Sequence, residues 1–515
     1  MKFFFRVFSF VLLIIGVGAA LPGMAEEAAD GSGSPDHVLY VDVNASGSDD
    51  GQSWVNAFPN LQDALAEART LAPAESVEIW VANGVYYPDI GGSPSGNTSF
   101  ISFDLVSNVS LYGGFAGGET ALDQRDWQAN PTVLSGDIDN NDTVNAIGVA
   151  EHYDDLVGRN SLHVVQANLV DNSARLDGFY ITGGMADGGG IVDGVVMRYG
   201  AGLYVEDSQL TLANLQIQGN RTRDLLGRGG GAYFENSAPG PSIAPLQIQD
   251  VAVINNLADD GGGFYVRGTE LSIDGAVFAG NVASWRGGAM FKNIVVFQMR
   301  NALIAGNRAI IGGGIYGFRG VSALVNTQIS GNYASEDGGG YYFDLPPDLN
   351  QTVVLTNTTF SGNRADRDGG AIFHEQAPVG TMLINNSILW GNQDVSGPGT
   401  ASASYGGPGA GRFTATHSLI EGLNPAGTGN LDGTVSSNDP LFSQPLDPAT
   451  APSILGDLRV AASSPIIDQG TGTARINPSF FGQTPIPIEG NIAFDLDGQE
   501  RFADGLGDSF VAIDL

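Results

Sequence analysis

The chain has 515 residues, 56 Asp and Glu against 22 Lys and Arg, a formal net charge of −34 and no cysteine. That balance argues against nucleic acid or an anionic membrane as partner, and the missing cysteine excludes disulfides, thiolate metal sites and a thiol nucleophile. With 74 glycines and 15% charged residues, the composition is that of a turn-dense β chain.

Met1 to Ala25 reads as a secretory signal. Lys2 and Arg6 give the positive end, Val7 to Ala20 the apolar run, and Gly23-Met24-Ala25 the small residues of a cleavage site. Removing it takes away two positive charges, so −34 becomes −36 and Lys292 is the one lysine left. No lipobox cysteine and no later run of about 20 apolar residues occurs, so neither a lipid anchor nor a transmembrane span is expected. Residues 26–36 form a polar linker. Within His37 to Asp89, Asn60 to Thr70 predicts a short helix: Asn60 is placed as N-cap, Asp63 lies in the first turn, and Leu61, Ala64, Leu65 and Ala68 share one face.

Three looser segments follow: Leu111-Tyr-Gly-Gly114, Leu134-Ser-Gly-Asp137 and Ile181-Thr-Gly-Gly184. Then, from about 200 to 392, a pattern of apolar residue, any residue, Gly or Asn, and Asn returns seven times. It ends at Asn220, Asn256, Asn281, Asn307, Asn332, Asn363 and Asn392, with spacings of 36, 25, 26, 25, 31 and 29. A period of about 25 residues marks a solenoid. Five residues before the key apolar position stands another apolar one (Leu212, Ile248, Ile273, Met299, Leu324, Leu355, Ile384). Seven before it the residue is again apolar, except at Ser322. This period of two is a strand with one buried face. Three before it stand Asn214, Asp250, Gly275, Asn301, Asn326, Asn357 and Asn386, residues that tolerate the left-handed region and mark a bend. After each ladder Asn comes a variable stretch, then Gly-Gly with an apolar or aromatic pair such as Phe264-Tyr265 or Tyr341-Tyr342.

These elements predict an all-β chain: a right-handed parallel β-helix with three strands per rung of about 25 residues, closed by the short amino-terminal helix. The recurrent Asn amides face inward as a ladder. The β-helix is expected over 37–425, with Asp394 to Arg412 a flexible excursion, and 426–515 as an irregular tail closing the solenoid.

Phe278-Ala-Gly-Asn281 and Phe360-Ser-Gly-Asn363, with Gly287-Gly-Ala-Met290 and Gly369-Gly-Ala-Ile372, resemble the FxxN and GGA elements of polymorphic outer-membrane-protein repeats. Leu39-Tyr-Val-Asp-Val-Asn44, Ser53-Trp-Val-Asn-Ala-Phe58 and Glu78 to Tyr86 resemble the start of secreted β-helix proteins of the pectate-lyase-like superfamily. Asp439-Pro-Leu-Phe442, Ser464-Pro-Ile-Ile-Asp468 and Asp495-Leu-Asp-Gly498 resemble their carboxyl-terminal signature. The resemblance implies the fold and a secreted or cell-surface setting; it does not choose among lyases, hydrolases and adhesins. Repeat-bearing autotransporters carry a carboxyl-terminal membrane β-barrel, for which no room is expected here.

No Gly-His-Gly accompanies the adjacent acids Asp49-Asp50, Asp154-Asp155 and Asp259-Asp260. Neighbours in a strand point oppositely, so Asp259 and Asp260 are weak catalytic candidates, as is Lys292, which reads as a surface side chain. Stacking gathers Arg223, Asp224, Arg228, Trp285, Arg286, Glu336, Asp337, Arg364, Asp366, Arg367 and Asp368 on one face, a candidate strip for gripping a glycan. Asp137, Asp139, Asn141 and Asp142 alternate oxygen ligands as a calcium loop does; apart from that candidate ion no cofactor is expected. The expected function is non-catalytic binding of a polysaccharide or surface glycan, with a lyase or glycoside hydrolase, or a structural matrix protein, as alternatives.

Overall fold

The computed structural model describes residues 35–470, except 93–97, 193–194, 223–225, 237–244, 269, 294–295, 345–351, 376–380 and 468. The expected signal, most of the linker, and the signature residues Asp495 and Asp497 therefore lie outside the described residues.

Three stacked parallel sheets wind the chain into a β-helix. The long-strand sheet holds Leu246–Ile254, Leu271–Ala279, Val296–Ala305, Val321–Ser330 and Thr352–Ser361, each pairing with the next in unbroken register on either side of its bend. The apolar positions on either side of the bend point inward. Ile248, Ile273, Met299, Leu324 and Leu355 stack into one core column, and Val253, Phe278, Ile304, Ile329 and Phe360 into another, all at most 1% exposed. The expected bend lies inside this strand and kinks it. Asn214, Asp250, Asn301, Asn326, Asn357 and Asn386 have φ between 46° and 55°, and Gly275 has 74°. Asn, Asp and Gly recur there because other side chains resist that region. The third sheet starts at each Gly-Gly and holds Ala232–Glu235, Phe264–Arg267, Met290–Asn293, Ile315–Phe318 and Tyr341–Asp344.

The seven Asn are fully buried and form the predicted ladder. Asn220 Nδ2 donates to Asn256 Oδ1 at 3.1 Å, and the bond repeats through Asn281, Asn307, Asn332 and Asn363 to Asn392 at 2.9–3.0 Å. From Asn256 onward each Oδ1 also accepts the backbone N–H of the Asn one rung earlier, Asn220 Oδ1 accepts that of Gly184, and Nδ2 of Asn256 donates to Ile217 O at 2.9 Å. Every donor and acceptor of the amide is thus used, the condition under which a polar group can sit in a core.

The helix is Leu61–Leu71, with Leu61, Ala64, Leu65 and Ala68 buried against the amino-terminal rungs. Asn60 stands at the N-cap but makes no cap bond; its Nδ2 donates to Asp63 Oδ2 instead, at 3.0 Å. The stretch after Asp394 is folded rather than an excursion. It makes a hairpin (Gln393–Asp394 with Gly397–Pro398), a turn of helix (Ala401–Ser404) and a strand that pairs Tyr405 with Ile372. Further on, Phe442–Gln444 and Asp457–Val460 pair antiparallel. Between them the chain runs back along the solenoid, where Ser453 N donates to Gly331 O at 2.8 Å. Among the described residues no helix is long and apolar enough to cross a membrane.

Candidate functional site

The variable stretch between each Asn and Gly-Gly reads in sequence as loop; in the structure it begins with a strand. Arg221–Thr222, Leu257–Asp260, Val282–Arg286, Arg308–Ala309, Tyr333–Ala334, Arg364–Ala365 and Gln393–Asp394 stack as a short-strand sheet. Two or more residues per rung leave too little pattern for a period to register, whereas stacking aligns them at about 4.8 Å per rung. Their inward column is Thr222, Ala258, Ala283, Ala309, Ala334 and Ala365, all small and buried.

Three outward columns carry the candidate residues. In the strand, Arg308, Tyr333 and Arg364 stack in register, with the two guanidinium carbons 5.5 and 5.6 Å from the Tyr333 ring centre. The Tyr333 hydroxyl donates to Asp366 at 2.6 Å, and Arg364 pairs with the same carboxylate at 2.7 Å. Two residues before Gly-Gly runs an outer ridge of Trp285, Ile310, Glu336 and Arg367, continued by Val395 and joined by one backbone hydrogen bond per rung. Trp285 is 44%, Ile310 37% and Val395 75% exposed. One residue before Gly-Gly runs an inner column of Arg228, Asp260, Arg286, Ile311, Asp337 and Asp368.

The inner column leans against a ladder of rings. Tyr204, Tyr233, Tyr265, Phe291, Tyr316, Tyr342 and Phe373 stack along the outer side of the third sheet with centroids 4.7–5.4 Å apart. Arg228 lies 4.9 Å from both Tyr199 and Tyr265, and Arg286 lies 4.7 Å from Phe291 and 3.9 Å from Trp285. Arg286 is held by Asp260 at 2.9 and 2.7 Å, and Arg367 by Asp337 at 2.8 Å. Burial, and then the neighbouring Asp394 and Asp337, push the Asp368 carboxyl above its ordinary range. The stacked rings offer edges rather than faces, so this ladder is scaffold. The ring open to a ligand is on the ridge, at Trp285, which is exposed although Arg286 lies over its ring.

The strip thus unites Arg228, Trp285, Arg286, Glu336, Asp337, Arg364, Asp366, Arg367 and Asp368; Arg223 and Asp224 lie outside the described residues. Arg308, Ile310 and Tyr333 belong to it and were missed, although each stands at a fixed offset from a ladder Asn or Gly-Gly. Asp259 and Asp260 diverge. Asp259 accepts from Leu226 N at 2.5 Å and Gly227 N at 3.1 Å, while Asp260 turns in to Arg286. In the candidate calcium loop, Asp137 accepts from Asn141 N and Asp142 N, Asp139 from Arg159 N, and Asp142 from Val157 N and Asn160 Nδ2. Burial pushes the Asp142 carboxyl up to about 6. These oxygens close their own loop, and among the described residues no three acids or histidines gather to hold a metal ion. Lys292 corrects the sequence reading: it is not a surface side chain but fully buried, pointing into the core from Met290–Asn293. Strand alternation decides this, since Phe291 joins the ring ladder outside and Lys292 must then face in.

Over residues 357–375 the chain matches the Chlamydia polymorphic membrane protein repeat. Among solved structures it is similar to a pectate lyase, Pel9A, at 12% identity and a TM-score of 0.35, covering 91% of this chain and 97% of that one. It is also similar to a pectin methylesterase solved with a hexasaccharide, at 11% identity and a TM-score of 0.24, covering 79% and 96%. Curated protein sequences give no match. The chain is a parallel β-helix, one repeat of which, residues 357–375, is of the polymorphic-membrane-protein type.

Proposed function

We propose that this protein is a secreted or cell-surface β-helix that binds a polysaccharide or surface glycan without cleaving it, along the short-strand sheet and its ridge. The observation that carries the reading is the ridge: Trp285 and Ile310 stand exposed beside the Arg308–Tyr333–Arg364 row and the Glu336–Arg367 pair. An aromatic face stacks on the apolar side of a sugar ring, while guanidinium and carboxylate groups at fixed spacing take its hydroxyls. A repeat every few ångströms along the axis suits a ligand that is itself a repeating chain. Non-catalysis is supported by Asp260, Asp337 and Asp259, which are committed to Arg286, Arg367 and backbone donors. The setting outside the cell rests on the expected leader at residues 1–25 and on the repeat match.

The test is a glycan array with wild type and Trp285→Ala, followed by a reducing-end and unsaturated-product assay on every binder, with and without calcium. Binding lost in the variant with no product released supports the proposal. Product release by wild type would overturn the non-catalytic half, and equal binding by the variant would overturn the strip.

A further inference from the structure

The corner between the long-strand and short-strand sheets is a column of small residues: Gly219, Asn255, Gly280, Gly306, Gly331 and Gly362, each just before a ladder Asn. Two separate segments roof this corner from opposite ends. Residues 145–156 cover its start: a Cβ on Gly219 would stand 2.2 Å from Ala150 O, and Asn255 Nδ2 donates to Glu151 O at 2.9 Å. Residues 446–456 cover its end, where a Cβ on Gly306, Gly331 or Gly362 would stand 2.6, 2.0 or 2.3 Å from Ile454, Ser453 or Leu446. Between the two roofs no described residue covers Gly280. A Cβ there would meet only the Asn255 side chain of the same column, and Gly280 is partly exposed whereas Gly306, Gly331 and Gly362 are buried. The opening falls on the rung that carries Trp285.

Two polar side chains stand at its rim. The Arg221 guanidinium donates to Tyr153 O at 3.0 Å and Leu156 O at 3.1 Å, pinning residues 145–156 to the start of the row Arg221, Leu257, Val282, Arg308. His152 packs on the Tyr153 ring at 4.0 Å. Burial, and then Asp154, raise the Tyr153 hydroxyl, and the Arg308 guanidinium is near enough to draw it back down. Arg308 is exposed and Tyr153 partly so. Elsewhere on the strip the polar groups are matched: Arg286 with Asp260, Arg364 and Tyr333 with Asp366, Arg367 with Asp337. Among the described residues, the Arg308 guanidinium and the Tyr153 hydroxyl make no hydrogen bond or ion pair; Arg308 has the Tyr333 ring at 5.5 Å. Their hydrogen-bonding capacity is open to a ligand.

We infer that Tyr153 and Arg308 are specificity-determining residues of the glycan strip, holding a sugar of the same chain whose neighbour stacks on Trp285. This rests on the glycan-binding reading above. Arg308 donates to a sugar oxygen and the Tyr153 hydroxyl bonds the adjacent one, so the pair selects by hydroxyl position where Trp285 selects only for an apolar ring face. Val282 of the row and Trp285 of the ridge are three residues apart in one strand, roughly 10 Å, so a single oligosaccharide reaches both.

The experiment takes the tightest-binding oligosaccharide found on a glycan array and titrates it into the full chain and its variants. Arg308→Gln should weaken binding by about tenfold or more and Tyr153→Phe by about threefold, with the unfolding temperature of both unchanged because neither group bonds the fold. On the array, both variants should lose preference among sugars that differ in one hydroxyl, whereas Trp285→Ala should lose binding to all. In wild type, saturating oligosaccharide should shield Arg308 from phenylglyoxal, read by mass spectrometry, a measure that depends on no variant folding. Wild-type affinity and preference in Arg308→Gln and Tyr153→Phe, or an Arg308 equally modified with and without oligosaccharide, would overturn the pair while leaving the strip at Trp285 standing. A wild-type chain that binds nothing on the array would overturn the pair and the reading beneath it together.

Discussion

The ladder Asn and the ridge two residues before Gly-Gly occur once per rung and lie within a few residues of each other, yet they behave oppositely. Along the ladder the residue never changes; along the ridge it runs Trp285, Ile310, Glu336, Arg367, Val395. The difference lies in who satisfies the side chain. A buried amide can be satisfied only by its copies one rung away, so a change at one rung leaves orphaned groups at two others. An exposed side chain is satisfied by water and is free to vary, which makes it available to a ligand. Repetition in a solenoid therefore marks structure, and function is sought where the repeat fails.

The sharpest way to break this comparison is Asn307→Ala. It removes the bonds to Asn332 Oδ1 and Phe278 O and the acceptor of Asn281, so we expect a loss of about 3 kcal/mol or more in denaturant unfolding. A loss below about 1 kcal/mol would show that the ladder is turn chemistry alone. Arg286→Ala comes next. It leaves Asp260 buried and unpaired, and because Arg286 keeps part of its surface in water the expected cost is about 2 kcal/mol.

Lys292 tests the middle ground, a buried polar group that does not repeat. Between its folded value of about 7 and the ordinary 10.5, the unfolded chain holds a proton that the folded chain has lost, so stability should rise with pH across that window. Below about 7 both states are protonated and the contribution is flat. Unfolding measured from pH 6 to 10 should show this slope in wild type, and Lys292→Met should lack it. The smallest effect on stability is expected at the ridge: Trp285→Ala should change unfolding by less than about 0.5 kcal/mol while removing glycan binding. A large destabilisation there would make the ridge scaffold.

The ladder, the bend column at Asn214 to Asn386 and the two inward apolar columns were all legible in sequence, because a period-two strand and a positive-φ bend each restrict residue type. The short-strand sheet was not, since Arg308–Ala309 or Tyr333–Ala334 is too short to show a period. Its membership nevertheless determines which candidates meet. Asp259 and Asp260, adjacent in sequence, diverge as strand neighbours do, whereas Arg308, Tyr333 and Arg364, separated by 25 and 31 residues, come into contact.

The sequence by itself determined the solenoid, its rung length and its inward Asn, because each rung repeats the same local constraints and local constraints can be read locally. Only the tertiary structure decided that Lys292 is inside, that Asp394 to Arg412 folds as part of the solenoid, and that the irregular residues form one strip. Those outcomes depend on which rung lies above which. Stacking fixes that through backbone hydrogen bonds, which carry no mark of the side chains they align.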